Sequence, residues 1–485
     1  MTRLGFYHDD WALLQQMIAH GGGLAELIAF QLRRTVHLYR PLSVLCWTLP
    51  YWFFGLRPLG WHLLMTALTG GLGAALYSIL REHGASELNA VLAALIFMAF
   101  PNADATLFWP DVAMILSMSL LCFLLAYREH LRYMRDGLEG ARWRSAALLF
   151  LSLCAYEQPF FLLPIWLFAP GGGVERSWRM RRSLALGAAA VVIYALYKFA
   201  LVPQFVPYNK PVSFSARHAL FVCYMALRAV ADPRWIFYLL QVAWRGVHWH
   251  PLLALGALLT PAAAWRALDR ENASGSAKTA RTLIFWGGSL YALAYVPFFF
   301  SDYAPAAYDH MNRLNQLPAI GLAALACGWA AVRPGKLRTA ALAVVAAFCL
   351  ITSTAFAEIW AQSYRRQLAV RDAVLAHEES WPPHQLLLIH LDELYVARKA
   401  PVFLAGYDVA SAIAIWTGRQ DRDAVVYTQW THLGLDALQT QAGSVPYGSV
   451  SLLDMANGRI EKLDRRRARA LPPPMDPWET PLRFW

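Results

Sequence analysis

Long apolar runs, broken by short arginine-rich stretches, set the pattern of this 485-residue chain. A helix needs about 20 apolar residues to cross the hydrocarbon core of a bilayer. Candidate runs fall at 58–80, 88–108, 111–127, 183–202, 249–267, 282–300, 315–332 and 338–356. Residues 145–169, "SAALLFLSLCAYEQPFFLLPIWLFA", differ in carrying Tyr156, Glu157, Gln158 and Pro159 in the middle of an apolar stretch. A single helix would bury Glu157 at the bilayer centre, which is costly for an ionisable group. A hairpin of two short helices that turns at "YEQP" avoids that cost.

The breaks between the runs orient them. "YREHLRYMRDGLEGARWR" (127–144) and "VERSWRMRR" (174–182) are both arginine-rich, the mark of cytoplasmic loops. Two loops on one side require an even number of crossings between them, which the hairpin supplies. "RALDRENASGSAKTAR" (266–281) and "RPGKLR" (333–338) fall on the same side, so the sequon at Asn272 is cytoplasmic. The opposite, external face receives the residues before Leu59, "PNADATLFWPD" (101–111), the segment 203–248, "SDYAPAAYDHMNRLNQ" (301–316) and everything after about 357. The pattern predicts an all-α polytopic membrane protein of about ten transmembrane helices. A small α/β domain follows, because "QLLLIHL" (385–391), "DVASAIAIW" (408–416) and "DAVVYTQW" (423–430) read as strand, helix, strand. The expected divisions are 1–57, an external acidic loop with interfacial helices; 58–356, the transmembrane domain; and 357–485, an external domain ending in a mobile basic tail, "RRRARALPPP".

Composition agrees with the pattern. The chain is 58% hydrophobic and only 15% charged, whereas soluble domains carry about a quarter charged residues. Twenty tryptophans suit aromatic belts at two interfaces. The formal charge of +11 resides in loop clusters, which excludes a nucleic-acid groove. The six cysteines lie in or beside apolar runs without metal or CxxC spacing. His248 and His250 stand two apart in "HWH", a spacing too weak to make a metal site alone. "GGG" at 21–23 and 171–173 lacks the context of a phosphate loop.

The external face collects the polar groups that could do chemistry: Asp9 and Asp10 in "HDDW", Arg40 in "YRPL", Asp104 and Asp111 in "PNADATLFWPD", Glu157 at the hairpin tip, and Lys198 near the outer end of its helix. Arg217 and His218 follow, then Asp309, His310 and Arg313 in "YDHMNRLNQLP". Carboxylates and cations converging at one interface suit an anionic, lipid-embedded substrate. A carboxylate can take a proton from a hydroxyl nucleophile, and arginines stabilise a phosphate leaving group through charge-assisted bonds. Asp9, Asp10 and Asp111 are also well placed to cap helices, Lys198 to snorkel, and His62 to pack at the interface.

"HDDW", "YRPLSVLCWTLPYWFFGLRPLGWHLL" (39–64), "FPNADATLFWPD" and "SLCAYEQPFFLLP" (152–164), in that order, resemble the GT-C superfamily of polyprenyl-phosphate-sugar-dependent glycosyltransferases, most like protein O-mannosyltransferase relatives. The resemblance covers about 6–170 and continues weakly to 332. It implies transfer of a sugar from a polyprenyl-phosphate donor to a hydroxyl of an acceptor protein, glycan or lipid, with inversion, on the external (periplasmic) side of a bacterial inner membrane. Asp9 matches the acidic residue that serves as catalytic base and Asp10 the second acidic place. Arg40, Glu157 and Arg313 match substrate-binding positions; Asp104, Asp111, Lys198 and Arg217 join them as further candidates on the same face. A divalent metal is the one cofactor left open. Two departures stand out: the family's first transmembrane helix has no counterpart before Asp9, and Tyr156 occupies a place where lysine is common. The rival readings are an inactive GT-C-like subunit of a larger complex and a lipid-linked-sugar transporter, the latter disfavoured by the absence of internal repeats.

Overall fold

Pro110 opens the most buried of the long apolar helices of the bundle, with its missing N–H at a position where no intrahelical partner exists. The structure is a computed structural model and describes residues 3–34, 38–170, 174–205, 214–268, 277–301, 303–307, 310–332, 335–428, 431–434 and 436–472. Asn272 and Asp309 lie outside the described residues. Helices α1 (Asp9–His20), α2 (Leu24–Leu32) and α3 (Pro41–Phe54) precede the bundle. The bundle comprises α4 (Pro58–Glu82), α5 (Glu87–Met98), α6 (Pro110–Asp136), α7 (Glu139–Ala155), α8 (Val174–Leu196), α9 (Ala216–Ala231), α10 (Pro233–Trp249), α11 (Pro251–Leu268), α12 (Ala277–Leu293), α13 (Gln316–Val332) and α14 (Lys336–Ala376).

Among the described residues, six of the expected crossings are helical stretches long and apolar enough to span a bilayer: Pro58–Glu82, Pro110–Asp136, Val174–Gln204, Ala277–Phe300, Met311–Val332 and Lys336–Ala376. This is an integral membrane protein. The other expected crossings are shorter or irregular. The run 88–108 holds only the 12 residues of α5 before the chain breaks at Pro101 and forms a single helical turn, Ala105–Phe108. The run 249–267 is α11, whose apolar side chains Leu252, Leu253, Leu255 and Leu258 are exposed.

The hairpin at 145–169 is present, with one limb in an unexpected conformation. Ser145 Oγ donates to Ala126 O at 2.7 Å and Ser119 Oγ to Tyr156 O at 3.2 Å, so α7 climbs antiparallel to α6. The chain then turns and descends as two 3₁₀ segments, Gln158–Phe161 and Leu163–Phe168. His130 on α6 bonds Trp166 O at 3.1 Å. The return limb therefore runs back along α6 from the level of Ser119 to that of His130, about 16 Å at 1.5 Å per residue. Pro159 and Pro164 keep this limb from regular α-helix. The two arginine-rich loops meet at one end of the bundle, where Arg182 pairs with Glu139 at 2.6 Å and Arg179 donates to Met134 O at 3.2 Å.

No break falls at 357: α14 runs 41 residues without interruption. That is about 60 Å of helix, roughly twice the thickness of a hydrocarbon core. Its far half carries a four-stranded sheet made of β1 (Leu386–His390), β2 (Asp423–Val426), β3 (Val450–Asp454) and β4 (Arg459–Lys462), in the order β2-β1-β3-β4. β1 is parallel to β2 and β3, and β4 is antiparallel to β3. Helix α15 (Gly406–Thr417) links β1 to β2. The strand–helix–strand expectation holds at each of its three segments. Sheet and bundle share one apolar core, which runs from Phe6, Trp11 and Trp109 through Trp360 to Leu387 and Ile413. The start of the basic tail differs from expectation. Arg465–Ala470 is a helix capped by Asp464, with Arg465 paired to Asp436 and Arg467 to Glu461.

Candidate active site

At the bundle end opposite the arginine-rich loops, the chain enters α1 through His8, which has φ 44°. That is the left-handed region, where a residue with a Cβ is strained. The strain is held in place from both sides: the imidazole stacks on Trp109 at 5.4 Å and on Tyr407 at 5.4 Å. Burial, reinforced by the charge of Arg313, lowers the His8 pKa against the pull of Asp9, so the ring is neutral at pH 7.

Asp9 and Asp10, adjacent in sequence, have different surroundings. Asp10 is buried, and both its oxygens accept backbone N–H groups: Tyr7 N at 2.7 Å on Oδ2 and Asp111 N at 2.8 Å on Oδ1. The second of these satisfies an orphan donor at the start of α6, so Asp10 caps a helix other than its own. Burial, and then the neighbouring Asp111 carboxyl, push the Asp10 carboxyl well above the usual range despite those two N–H groups. Asp9 keeps 39% of its side chain exposed. Its Oδ1 accepts the Tyr407 hydroxyl at 2.6 Å, and among the described residues its Oδ2 accepts no hydrogen bond. Asp111 is buried behind Asp10, on the wall of a small apolar cavity lined by Phe6, Met17, Trp47 and Trp61. Its Oδ1 has no hydrogen-bond partner there.

A second centre lies deeper. Arg40, at the start of α3, grips Glu157 in a two-pronged pair, Nε–Oε2 at 2.7 Å and Nη2–Oε1 at 2.6 Å. Lys198 reaches the same carboxylate, Nζ–Oε1 at 3.2 Å. Two cations share one anion, so the cluster has a net charge of +1. Arg40 also stacks over the ring of Tyr156 at 4.3 Å. Tyr156 thus supports a cation that arrives from another loop. Lys198 is aimed inward by a π-helical turn, Tyr197–Leu201, while its neighbours Leu196, Phe199 and Leu201 are exposed on the apolar flank. Tyr156 sits beside Ser119, which places the cluster about 12 Å down α6 from Asp111.

Arg313, just before α13, stands over Trp109 at 5.2 Å and Tyr303 at 6.0 Å. Among the described residues no carboxylate lies within 4 Å of it. Its charge is felt both at His8, beside Asp9, and at Tyr156, beside the deeper cluster.

Asp104 and Arg217 do not join this group. Asp104 is fully buried and accepts from Lys399 Nζ at 2.6 Å, Asn312 Nδ2 at 2.7 Å and Trp360 Nε1 at 2.8 Å. It ties the sheet domain to the bundle. Arg217 is exposed on the first turn of α9. His62 is a packed histidine whose Nε2 meets Gly5 O at 3.0 Å. Among the described residues no three His, Cys, Asp or Glu side chains stand together as metal ligands.

Sequence reasoning missed Tyr407 and Lys399. Both lie about 300 or more positions from their partners, and nothing local marks a tyrosine or lysine as facing another domain. Only "DVASAIAIW" (408–416) was legible, as a helix.

No protein-family model matches this chain, and no curated protein matches its sequence. Among solved structures the chain is similar to two crystal structures of ArnT from Cupriavidus metallidurans. The apo state is 14% identical, with 88% of this chain and 83% of that one covered and a TM-score of 0.43. The form bound to undecaprenyl phosphate is 12% identical, with the same coverage and a TM-score of 0.44.

Proposed function

We propose that the chain is a membrane glycosyltransferase that takes its sugar from a polyprenyl-phosphate donor and works at the external face. The observation that carries this reading is the pairing, at one end of the bundle, of a half-exposed carboxylate with a free oxygen and a deeper cationic cluster beside an apolar flank. The ordered motifs resembling the GT-C superfamily point the same way. The polyprenyl chain lies against Leu196, Phe199 and Leu201, and the donor phosphate meets Arg40 and Lys198. Glu157 keeps those two cations apart and oriented without cancelling their charge. Arg313 faces the sugar end of the phosphate.

Asp9 takes the proton from the acceptor hydroxyl as its oxygen attacks the anomeric carbon. The carbon–oxygen bond to phosphate breaks, and the electron pair leaves on the polyprenyl phosphate. Arginine and lysine stabilise that charge, so no general acid is needed. One base facing one leaving group gives inversion. Asp10, buried with both oxygens engaged by backbone N–H groups, positions α1 and is not the base.

The test is sugar transfer by the purified protein in lipid nanodiscs, supplied with a panel of polyprenyl-phosphate sugars and of hydroxyl acceptors (protein, glycan and lipid) and assayed for released polyprenyl phosphate. Asp9→Asn is expected to lower kcat by about 10²–10⁴-fold, the usual worth of a positioned general base. Arg40→Ala and Lys198→Ala are expected to raise KM for the lipid donor. Full turnover by Asp9→Asn would overturn the assignment.

A further inference from the structure

The parallel pair β1 and β2 is joined through α15, so the N-terminus of α15 lies at the carboxyl edge of the sheet. That edge faces α1. Asp408 fixes the first turn of α15 by accepting Leu404 N at 2.8 Å and Ala405 N at 3.2 Å. Tyr407, beside it, projects across to the start of α1. Its hydroxyl stands 3.2 and 3.3 Å from the two ring nitrogens of His8. The phenol has one proton to give, so toward His8 its oxygen can only accept, from the ring nitrogen that carries the N–H. Its proton goes to Asp9 Oδ1 at 2.6 Å. Burial, followed by the Asp9 charge, pushes the Tyr407 pKa up, so the phenol remains a donor.

Other contacts hold the start of the chain against α14 and α15. Trp11 Nε1 donates to Gln367 Oε1 at 3.2 Å, and its ring meets that of Trp416 at 5.4 Å. Tyr7 donates to Trp360 O at 2.8 Å. The strained backbone at His8 is thus locked between a bundle tryptophan and a tyrosine of the sheet domain.

We infer that the sheet domain completes the catalytic centre: Tyr407 is a positioning residue that pins Oδ1 of Asp9 and turns Oδ2 toward the acceptor hydroxyl. The inference rests on the reading of Asp9 as the base. On this account the base is competent only with the sheet domain docked, and the acceptor reaches Asp9 across the carboxyl edge of that domain.

The experiment compares Tyr407→Phe, which keeps the ring on His8 and removes one hydroxyl, with Asp9→Asn. Tyr407→Phe is expected to lower kcat by about tenfold or more, the effect of losing a hydrogen bond to a charged group. KM for the lipid donor and the melting temperature should stay at wild-type values, a split that a merely structural tyrosine would not give. Wild-type kcat in Tyr407→Phe beside an impaired Asp9→Asn overturns this inference and leaves the base intact. Wild-type kcat in Asp9→Asn overturns both. If Tyr407→Phe does not fold, 3-fluorotyrosine at position 407 keeps the ring and strengthens the donor. It is expected to change kcat at constant KM, and an unchanged kcat overturns the inference.

Discussion

Asp9 and Asp10 show how far one position decides a carboxylate's role. In the sequence they are equivalent, and either suits a base or a helix cap. The structure separates them by what surrounds them: Asp10 faces inward onto two backbone N–H groups, while Asp9 faces a tyrosine and open space. That difference depends on the approach of α6, about a hundred residues on, and is invisible to any local pattern. It leads to a prediction. In Asp10→Asn the side chain keeps one accepting oxygen, and its amide nitrogen meets the second backbone N–H donor. One buried N–H is left unsatisfied, at a cost of about 1–3 kcal/mol. Thermal unfolding in detergent should report that loss, while kcat of the folded fraction falls far less than in Asp9→Asn. An Asp10→Asn protein that melts like wild type and is catalytically dead would reverse the two roles.

At the scale of elements, the long spans were legible because apolar length is a property of composition. The six that stand clear in the structure were all among the runs read from the chain. The irregular pieces were less legible. The hairpin follows from loop charge and the cost of burying Glu157, but its 3₁₀ return limb depends on two prolines that block regular helix and on Trp166 packed against His130 of α6. The Arg40–Glu157–Lys198 cluster was legible residue by residue and not as a unit, since its members come from three separate elements. Asp104 belongs at this scale too. It stands seven residues before Asp111 in the same external stretch, yet its partner is Lys399, itself fully buried over Trp235 and Phe356 at 4.5 and 4.7 Å. Removing one member of such a pair strands a buried charge, which costs about 3–5 kcal/mol. Lys399→Met is therefore expected to loosen the sheet domain from the bundle. Limited proteolysis should release a fragment beginning near 377–385 from the variant and not from wild type. The double variant Asp104→Leu/Lys399→Met, which strands no charge, should recover much of the protection. Equal protection in Lys399→Met and wild type would remove this latch from the docking interface.

The whole molecule has a polarity that its site requires. Every residue of the proposed centre lies at the end of the bundle away from the paired basic loops, and the sheet domain docks at that same end. Positive charge is retained on the cytoplasmic side during insertion, so the proposed reading places the site end outside. A polyprenyl-phosphate donor would then be met from the outer leaflet, at the level of Arg40 and Lys198. Orientation can be tested independently of catalysis. In a background with the six cysteines replaced by serine, a single cysteine is placed at Gln441, exposed in the sheet domain, or at Arg181, exposed at the start of α8. A membrane-impermeant maleimide applied to intact spheroplasts is expected to label Gln441→Cys at once and Arg181→Cys only after permeabilisation. The reverse pattern would put Asp9 in the cytoplasm. The enzyme would then need a donor on the inner leaflet and a cytosolic acceptor, and the positive-inside argument for this chain would be wrong. Labelling of both positions from outside would instead overturn the placement of the basic loops and the sheet domain at opposite ends of the bundle.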